Sequence, residues 1–353
     1  MFGWVRSLDF FFNKAKLRYL GLGLLLAWVY CTWFSHGIFL PGDGRLHETL
    51  HLSLLASAVG LLLLVFRPQK RMPLSPRIIL VSALAVSITT ASFFFLSSVP
   101  AIWVASVVGG FASSALWVGW GELFCQIDQD AAEASIPMSL AMFVMAAVAD
   151  RLLPWPFAGV FSVMLPLISC LMLFLGRGEH PDDYEFPESI EPFSRVLPAL
   201  VKLALCSMVC SFATGAVVTS FAREELLFGA DDFIVFYAMG GVVAGLVSFF
   251  AFAHARRVNF SFIYEWAVPL IVFALAARAM DGPLFNTLSA IFACSASLYV
   301  EVLFYAIFAL VTARRFCLPS ETFGIFRAAA QVGFMLGGLL GSWVGSNNIN
   351  ITA

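Results

Sequence analysis

The chain is poor in charged residues. Asp, Glu, Lys and Arg make up 12% of its 353 residues, about half the usual share in soluble domains. Hydrophobic residues make up 61%, more than a soluble protein of this size can keep away from water. These proportions exclude a soluble enzyme, a secreted disulfide scaffold and a disordered regulator. The net charge of −2 provides no basic excess for nucleic acid. We therefore predict an integral membrane protein whose main partner is the lipid bilayer.

The chain also lacks a CxxC pair, although it has seven cysteines. A structural disulfide framework and a thiolate metal site are therefore not expected. Long hydrophobic runs are abundant, and a run of about 20 apolar residues predicts a transmembrane helix. Eleven such runs predict an all-α integral membrane fold, in which the fifth span is short. The predicted spans cover residues 17–39, 47–66, 78–98, 100–125, 135–150, 155–176, 197–221, 233–253, 263–280, 284–311 and 322–345.

The cationic residues predict the orientation of these spans, because Lys and Arg concentrate on the cytoplasmic side. With the N-terminus inside, 15 of the 20 Lys and Arg residues fall on the inner side, four fall outside, and Arg327 lies within a span. Residues 67–77 and 178–196 are then cytoplasmic, whereas 40–46 and 346–353 face outward. The sequence thus predicts a multi-pass protein of a bacterial inner membrane with a cytoplasmic N-terminus.

The predicted spans divide into two groups. Residues 1–16 are an amphipathic, interfacial N-terminal segment, and residues 17–176 hold six spans. Residues 177–196 are an acidic, Pro-containing cytoplasmic linker, and residues 197–353 hold five spans. Span four contains FASSALWVGWGE and span ten contains FACSASLYVEVL, which both place a small-residue run before an aromatic residue and a valine. Such weak internal similarity is typical of the parallel six-helix repeats of the major facilitator architecture.

Three stretches carry a resemblance to a known family: WVGWGELF at 117–124, the Ser-Leu-Tyr-Val-Glu run of span ten, and FRAAAQVGFMLGGLLG at 326–341. The chain resembles the major-facilitator-like membrane module of LuxR-type helix-turn-helix regulators from Eggerthella-like actinobacteria. The resemblance implies a module that senses an unknown small-molecule ligand. It also implies a twelfth span and a DNA-binding domain, both of which are missing from this chain. Direct nucleic-acid binding, a cofactor and an enzymatic activity are therefore not expected.

Two alternatives remain open at the level of sequence. The first is a secondary transporter of a small molecule that uses the same fold, although residues 67–77 lack the Gly-x-x-x-Asp-Arg-x-Gly-Arg pattern of facilitator transporters. The second, more distant alternative is a membrane zinc protease. His47, Glu48 and His51 form an HExxH motif, which on a helix places two zinc ligands and a general base on one face. The motif lies at a wet helix start, where such residues are ordinary, so we expect no metal and retain His47 and His51 as weak candidates only.

Charged residues inside spans are the candidate functional groups, because burying a charge in a bilayer is costly. Glu301 and Arg327 lie in spans ten and eleven, and we predict that they pair. Gln331 follows Arg327 by one helical turn, and Glu122 is a competing partner for Arg327. Trp117 and Tyr299 hold matched positions in the two groups of spans and are predicted to line an apolar central cavity.

Four glycines in span eleven are predicted to serve packing rather than chemistry. They recur every fourth residue and so form one flat stripe against which another helix can lie closely. The stripe consists of Gly333, Gly337, Gly341 and Gly345.

Overall fold

The computed structural model describes residues 13–35, 38, 45–178, 184–228, 230–255, 263–280 and 282–346, without side chains at 45–48, 220–234, 252–255, 263–264 and 344–346. This part of the chain is all helical and contains no strand. It comprises eleven α-helices, a 3₁₀ turn at Leu17–Tyr19 and a π-helical turn at Ile263–Ala267. The helices are α1 Leu22–Trp33, α2 Arg45–Val65, α3 Pro76–Ser92, α4 Val99–Gln126, α5 Gln129–Leu152, α6 Phe157–Arg177, α7 Phe193–Phe228, α8 Ala230–Ala255, α9 Val268–Arg278, α10 Pro283–Ala313 and α11 Pro319–Ser346.

Helix starts follow from local sequence. Pro76 opens α3, and the Ser75 hydroxyl accepts a hydrogen bond from the backbone N–H of Ile78 at 3.4 Å. A serine cap followed by proline is a favoured helix start, because the missing proline N–H would have no helical partner. Proline likewise occupies the first turn of α4, α9, α10 and α11. The polar loop sequences thus end in residues that begin a helix.

The eleven helices correspond to the eleven predicted spans, with differences in length. The fifth predicted span, 135–150, is longer in the structure because α5 begins at Gln129. Residues 129–134 combine three polar residues with three alanines, and because Gln, Ala and Glu favour helix they extend α5 beyond the apolar run. In the described residues, six helices are long and apolar enough to cross a membrane, and four shorter apolar helices accompany them.

The exterior of the bundle is apolar and part of its interior is polar. On α3, for example, Val81 and Ile88 are 64% and 65% exposed. Buried positions instead include many Ser and Thr hydroxyls and the Glu122, Arg327 and Gln331 side chains. This is the reverse of a soluble protein and fits a bundle whose outer surface contacts lipid chains.

Helix contacts recur with an offset of six helices. Helix α2 packs on α4 and α3 on α4, just as α8 packs on α10 and α9 on α10. Helix α1 packs on α5, as α7 packs on α11. The most extensive contacts between the helices α1–α6 and the helices α7–α11 are those of α2 with α11 and of α5 with α8. This arrangement creates a central space between the two groups.

The glycine stripe of α11 lies against α7. A methyl group added at Gly333, Gly337 or Gly341 would overlap the backbone carbonyl oxygen of Met208, Phe212 or Ala216, respectively. The side-chain position of Gly345 lies outside the described residues. Helix α7 also contributes Gly215, where an added methyl group would collide with the Phe334 backbone. The backbones of α7 and α11 therefore approach each other as closely as small residues permit.

Candidate functional site

A cavity lies between the two groups of helices. Helices α1 and α2 contribute one wall, and α7, α10 and α11 contribute the other. The lining residues are Leu26, Val29, Tyr30, Phe34, Leu50, Leu54, Ser211, Ser297, Glu301, Arg327, Ala330, Gln331 and Phe334. The volume in which the centre of a water-sized sphere can lie is about 50 Å³ in this cavity. A single water needs roughly 10–15 Å³ on the same measure, so the cavity has room for a few waters or a small ligand group.

Glu301 and Arg327 form an ion pair in the cavity wall. Arg327 Nη1 contacts Glu301 Oε1, and the two side chains are 9% and 14% exposed. The guanidinium also stacks on Trp117 of α4, with 3.8 Å between Arg327 Cζ and the ring centroid. Eight residues separate Arg327 from the start of α11 at Pro319, which places it about 12 Å into the helix. An ion pair and a cation–π contact together reduce the cost of holding this charge inside the bundle.

Three buried polar atoms of the lining have no hydrogen-bond partner. They are Arg327 Nε, Gln331 Oε1 and Glu301 Oε1, of which Glu301 Oε1 is in ionic contact with Arg327 Nη1. Gln331 is only 4% exposed, and it follows Arg327 by four residues on the same face of α11. Buried polar groups are normally paired, so an unpaired donor and acceptor in one cavity mark a place where a ligand or water can bind.

Aromatic side chains support the opposite wall. Tyr30 of α1 lines the cavity, and its ring lies 3.9 Å from the ring of Tyr237 on α8 and 5.1 Å from that of Phe143 on α5. All three rings are buried. This cluster holds α1 against α5 and α8 and sets the position of the Tyr30 ring in the wall.

A second aromatic layer separates the cavity from the end of the bundle where α11 begins. Phe304 and Phe308 of α10 stack with Phe326 of α11, at centroid distances of 4.9 and 5.1 Å. Tyr305 lies 5.2 Å from Phe323 and donates a hydrogen bond to the backbone oxygen of Trp117 at 3.3 Å. These side chains are fully buried and leave the cavity closed toward this end.

Beyond that layer, Glu122 organises a polar cluster. Its carboxylate is 0% exposed and accepts hydrogen bonds from Arg67 Nη2 at 2.9 Å, Arg177 Nη2 at 2.7 Å and the Leu74 backbone N–H at 2.8 Å. The α2–α3 loop and the ends of α4 and α6 are thereby held together. Glu122 is saturated with donors that belong to α1–α6 and its loops, which differs from the expectation that it competes for Arg327.

An ion pair and the linker between α6 and α7 bridge the helix groups at this end. Lys70 Nζ of the α2–α3 loop pairs with Glu321 Oε1 at the start of α11, at 3.0 Å. The linker forms one backbone hydrogen bond to each group: the Phe186 N–H donates to Arg71 O at 2.8 Å, and the Ile190 N–H donates to Arg315 O at 2.8 Å. We call this the cation-rich end, defined by the loops 66–75, 184–192 and 314–318.

Cys317, in the α10–α11 loop, lies beneath these bridges. It is 2% exposed, and burial raises the pKa of its thiol to about 12, with a smaller contribution from Glu321. A raised thiol pKa leaves little reactive thiolate at neutral pH. The reactivity of Cys317 therefore depends on whether this end is closed.

The structure brings together part of the predicted site. Glu301, Arg327 and Gln331 line one cavity, and Trp117 supports it through Arg327. Tyr299 is fully buried but is not in the lining, because it lies on a different face of α10 from Ser297 and Glu301. Sequence reasoning missed Tyr30, Ser211 and Ser297, since single hydroxyl groups within apolar helices are too common to stand out.

The HExxH motif lies only partly within the described residues, since the side chains of His47 and Glu48 are outside them. Residues that the structure describes contain no group of three or more His, Cys, Asp or Glu side chains that could hold a metal. His51 faces α11, where a methyl group added at Gly338 would lie 2.8 Å from His51 Nε2. His51 therefore packs between helices.

The fold is shared with solved transporters of the major facilitator superfamily. The human organic anion transporter MFSD10 (TETRAN) has a TM-score of 0.60 at 15% identity, over 96% of this chain and 93% of its own. The proton:xylose symporter XylE, bound to 6-bromo-6-deoxy-D-glucose, has a TM-score of 0.55 at 12% identity, over 98% of this chain and 97% of its own. No protein-family model matches the chain, and no curated protein matches its sequence. The chain thus has a major-facilitator-like membrane fold.

The comparisons separate the functional hypotheses only in part. The predicted all-α, major-facilitator-like bundle is confirmed. The resemblance to LuxR-type regulators receives no support from these comparisons.

Proposed function

We propose that this protein is a non-enzymatic secondary transporter that moves a small molecule by alternating access to the cavity between α1–α6 and α7–α11. The observation that carries the proposal is the buried Glu301–Arg327 pair in the wall of that cavity, beside the unpaired Gln331 oxygen. Charges buried in a membrane are expensive, and they mark substrate or ion pathways by default. The two structural neighbours, an organic anion transporter and a proton:xylose symporter, support the same class of function.

We place the cation-rich end in the cytoplasm of a bacterial cell, with the N-terminus on the same side. The excess of Lys and Arg in the loops at this end supports that orientation. We also propose that residues 17–176 and 197–353 move as the two halves, joined by the linker 177–196. The aromatic layer and the Lys70–Glu321 pair close the cavity toward the cation-rich end. Transport requires that these contacts break while the opposite end of the cavity is closed, and that they form again when the opposite end opens.

Thiol accessibility tests alternating access. Ser297 lines the cavity, so Ser297→Cys is introduced into a variant whose seven native cysteines are replaced. Right-side-out and inverted vesicles are then treated with a membrane-impermeant maleimide. A transporter exposes the cavity to each side in turn, and we expect labelling in both preparations.

A matched control uses the same helix. Ser289 of α10 is fully buried, and its hydroxyl donates to the Ala274 carbonyl of α9 at 2.6 Å. Ser289→Cys should resist labelling from either side. Labelling of Ser297→Cys from one side only would contradict transport and would favour a ligand sensor with a fixed opening.

A further inference from the structure

Arg327 has more N–H donors than its contact with Glu301 uses. A guanidinium has five N–H donors in a planar fork. The contacts of Arg327 in the described residues are one carboxylate oxygen of Glu301 and the face of Trp117, and its Nε has no hydrogen-bond partner. Arg327 can therefore bind both oxygens of a ligand carboxylate in place of its single contact with Glu301, because carboxylate is the group that the guanidinium fork matches.

The charge balance decides what must accompany such a ligand. Glu301 and Arg327 together carry no net charge, so a bound carboxylate alone would leave one uncompensated negative charge in a buried site. Protonation of Glu301 removes that excess. A cationic ligand is disfavoured, because Glu301 is already paired and the new charge would lie beside Arg327.

We propose that the cavity binds a short-chain monocarboxylate together with one proton, a ligand class that rests on the proposed transport function. The ligand carboxylate replaces Glu301 at Arg327, and the proton from the aqueous phase bonds to the released Glu301 carboxylate oxygen. The site gains one negative and one positive charge, so its net charge does not change. Gln331 Oε1, unpaired in this structure, is an acceptor in the same lining for the new O–H group.

The remaining walls fit a small apolar body. Leu26, Val29, Leu50, Leu54, Phe34 and Phe334 line the cavity. Space for only a few waters favours a short chain over a large aromatic acid. Carboxylate recognition by Arg327 and enclosure of an alkyl chain by these side chains account for both parts of the ligand.

Other titratable groups near Glu301 define the controls. Tyr30 is the further titratable group in the lining, and Tyr237 and Cys294 lie behind it on α8 and α10. His51 faces α11 at Gly338, seven residues after Gln331. Because histidine changes charge near neutral pH, its contribution to proton uptake must be separated from that of Glu301.

Calorimetry of the purified full chain in lipid nanodiscs tests the proposal. Butyrate is titrated in two buffers of different ionisation enthalpy, with isosteric neutral butyramide and cationic butylamine of the same carbon number as comparisons. Butyrate should bind at least roughly tenfold more tightly than either, the ratio expected from one charge-assisted hydrogen bond. The buffer comparison should show uptake of about one proton per butyrate. In the pH range where one full proton is taken up, the affinity for butyrate should fall about tenfold for each unit by which the pH rises.

Four variants assign these effects to residues. Glu301→Gln should bind butyrate without proton uptake, and His51→Gln should leave the uptake unchanged. Arg327→Gln should lose the preference for butyrate over butyramide, whereas Arg327→Lys should retain part of it. Unfolding of Arg327→Gln would not remove the test, because Glu301→Gln and Arg327→Lys report independently. Equal binding of butyrate and butyramide, or proton uptake that persists in Glu301→Gln, would overturn the proposal.

The two proposals fail separately. Two-sided labelling of Ser297→Cys without preference for butyrate would overturn the ligand class and leave transport intact. Glu301-dependent proton uptake with butyrate, but one-sided labelling of Ser297→Cys, would support the ligand class and contradict transport.

Discussion

At the scale of single residues, Glu122 and Glu301, which both lie within predicted spans, have different surroundings. Glu122 accepts hydrogen bonds from two arginines and one backbone N–H within α1–α6 and its loops. Glu301 has one ionic partner, Arg327, in a cavity that also holds an unpaired amide oxygen. A saturated carboxylate stabilises one arrangement, whereas a carboxylate with a single partner can exchange it. We therefore expect Glu122 to serve a structural role, and Glu301 is the group that the proposed transport cycle would use.

The pairing of Glu301 with Arg327 predicts mutual dependence. Glu301→Gln or Arg327→Gln alone should destabilise the protein, because each strands the other charge at a cost of roughly 2.5–3.5 kcal/mol on insertion scales. The double variant should recover part of that loss, since neither charge then remains alone. A double-mutant cycle of unfolding free energies in detergent measures the coupling.

The control for this cycle is the exposed pair Glu191–Arg195, whose side chains are 39% and 75% exposed. The same Gln substitutions there should change stability by less than about 1 kcal/mol. Additive losses for Glu301 and Arg327 would show that the two residues do not stabilise each other.

The positions of Glu301 and Arg327 well inside predicted spans were enough to identify them as candidate site residues. Glu301, Arg327 and Gln331 stand out because charges and amides are rare inside spans. Tyr30 and Ser211 lie on helices whose sequences are otherwise apolar, and which face they present depends on the packing of α1 and α7. The partners of Glu122 were not predictable either, because Arg67 and Arg177 come from a loop and a helix end whose distance from Glu122 is set by the fold.

At the scale of elements, the contact between α7 and α11 shows how small residues determine helix separation. Glycines at every fourth position remove all side chains from one face of α11, and the backbone carbonyls of α7 occupy the space. Without a hydrophobic driving force between helices in lipid, such close packing is a main source of association. The periodicity predicted a close partner, and the structure identifies that partner as α7.

Gly337→Ala is therefore expected to be destabilising by about 1–3 kcal/mol, the usual cost of overpacking. The added methyl group would overlap the Phe212 carbonyl oxygen. This oxygen belongs to the helix backbone, so it cannot move without shifting α7. Gly245→Ala on α8 is the matched control, because its methyl group would lie 4.0 Å from Leu140 Cβ. It should be neutral, or more stable by up to about 1 kcal/mol through helix propensity.

Thermal unfolding in detergent compares the two glycine variants. If Gly337→Ala unfolds at the wild-type temperature, α7 and α11 are not in the close contact described for them.

At the scale of the whole molecule, closure at the cation-rich end depends on a few contacts between the helix groups. Lys70 and Glu321 form the ionic bridge, and the linker adds backbone hydrogen bonds to the loops on both sides. Cys317 is buried beneath them, and its raised pKa of about 12 suppresses thiolate formation. Opening of this end would expose Cys317 and restore a more ordinary thiol.

Lys70→Gln should therefore accelerate alkylation of Cys317 in a variant that retains only this cysteine. Loss of about 1 kcal/mol of bridging free energy would raise the open population roughly fivefold. The alkylation rate at pH 7.5 measures that population. Arg195→Gln, which removes an exposed pair within the linker and the start of α7, should leave the rate unchanged. Equal rates in the two variants would mean that the Lys70–Glu321 pair does not hold the end closed.

Local sequence was sufficient to predict that the protein lies in lipid, that the described residues form eleven α-helices, and where charged residues lie within those helices. These follow from local quantities: apolar run length, the scarcity of charge, proline and serine at helix starts, and glycine spacing. Which of these groups are in contact depends on how the helices pack. Ion pairs such as Glu122 with Arg67, or Lys70 with Glu321, join residues 55 and 251 positions apart. Residues so far apart in sequence come into contact only through helix packing. The helix itself sets the direction of each side chain, and the neighbouring helices determine what that side chain meets.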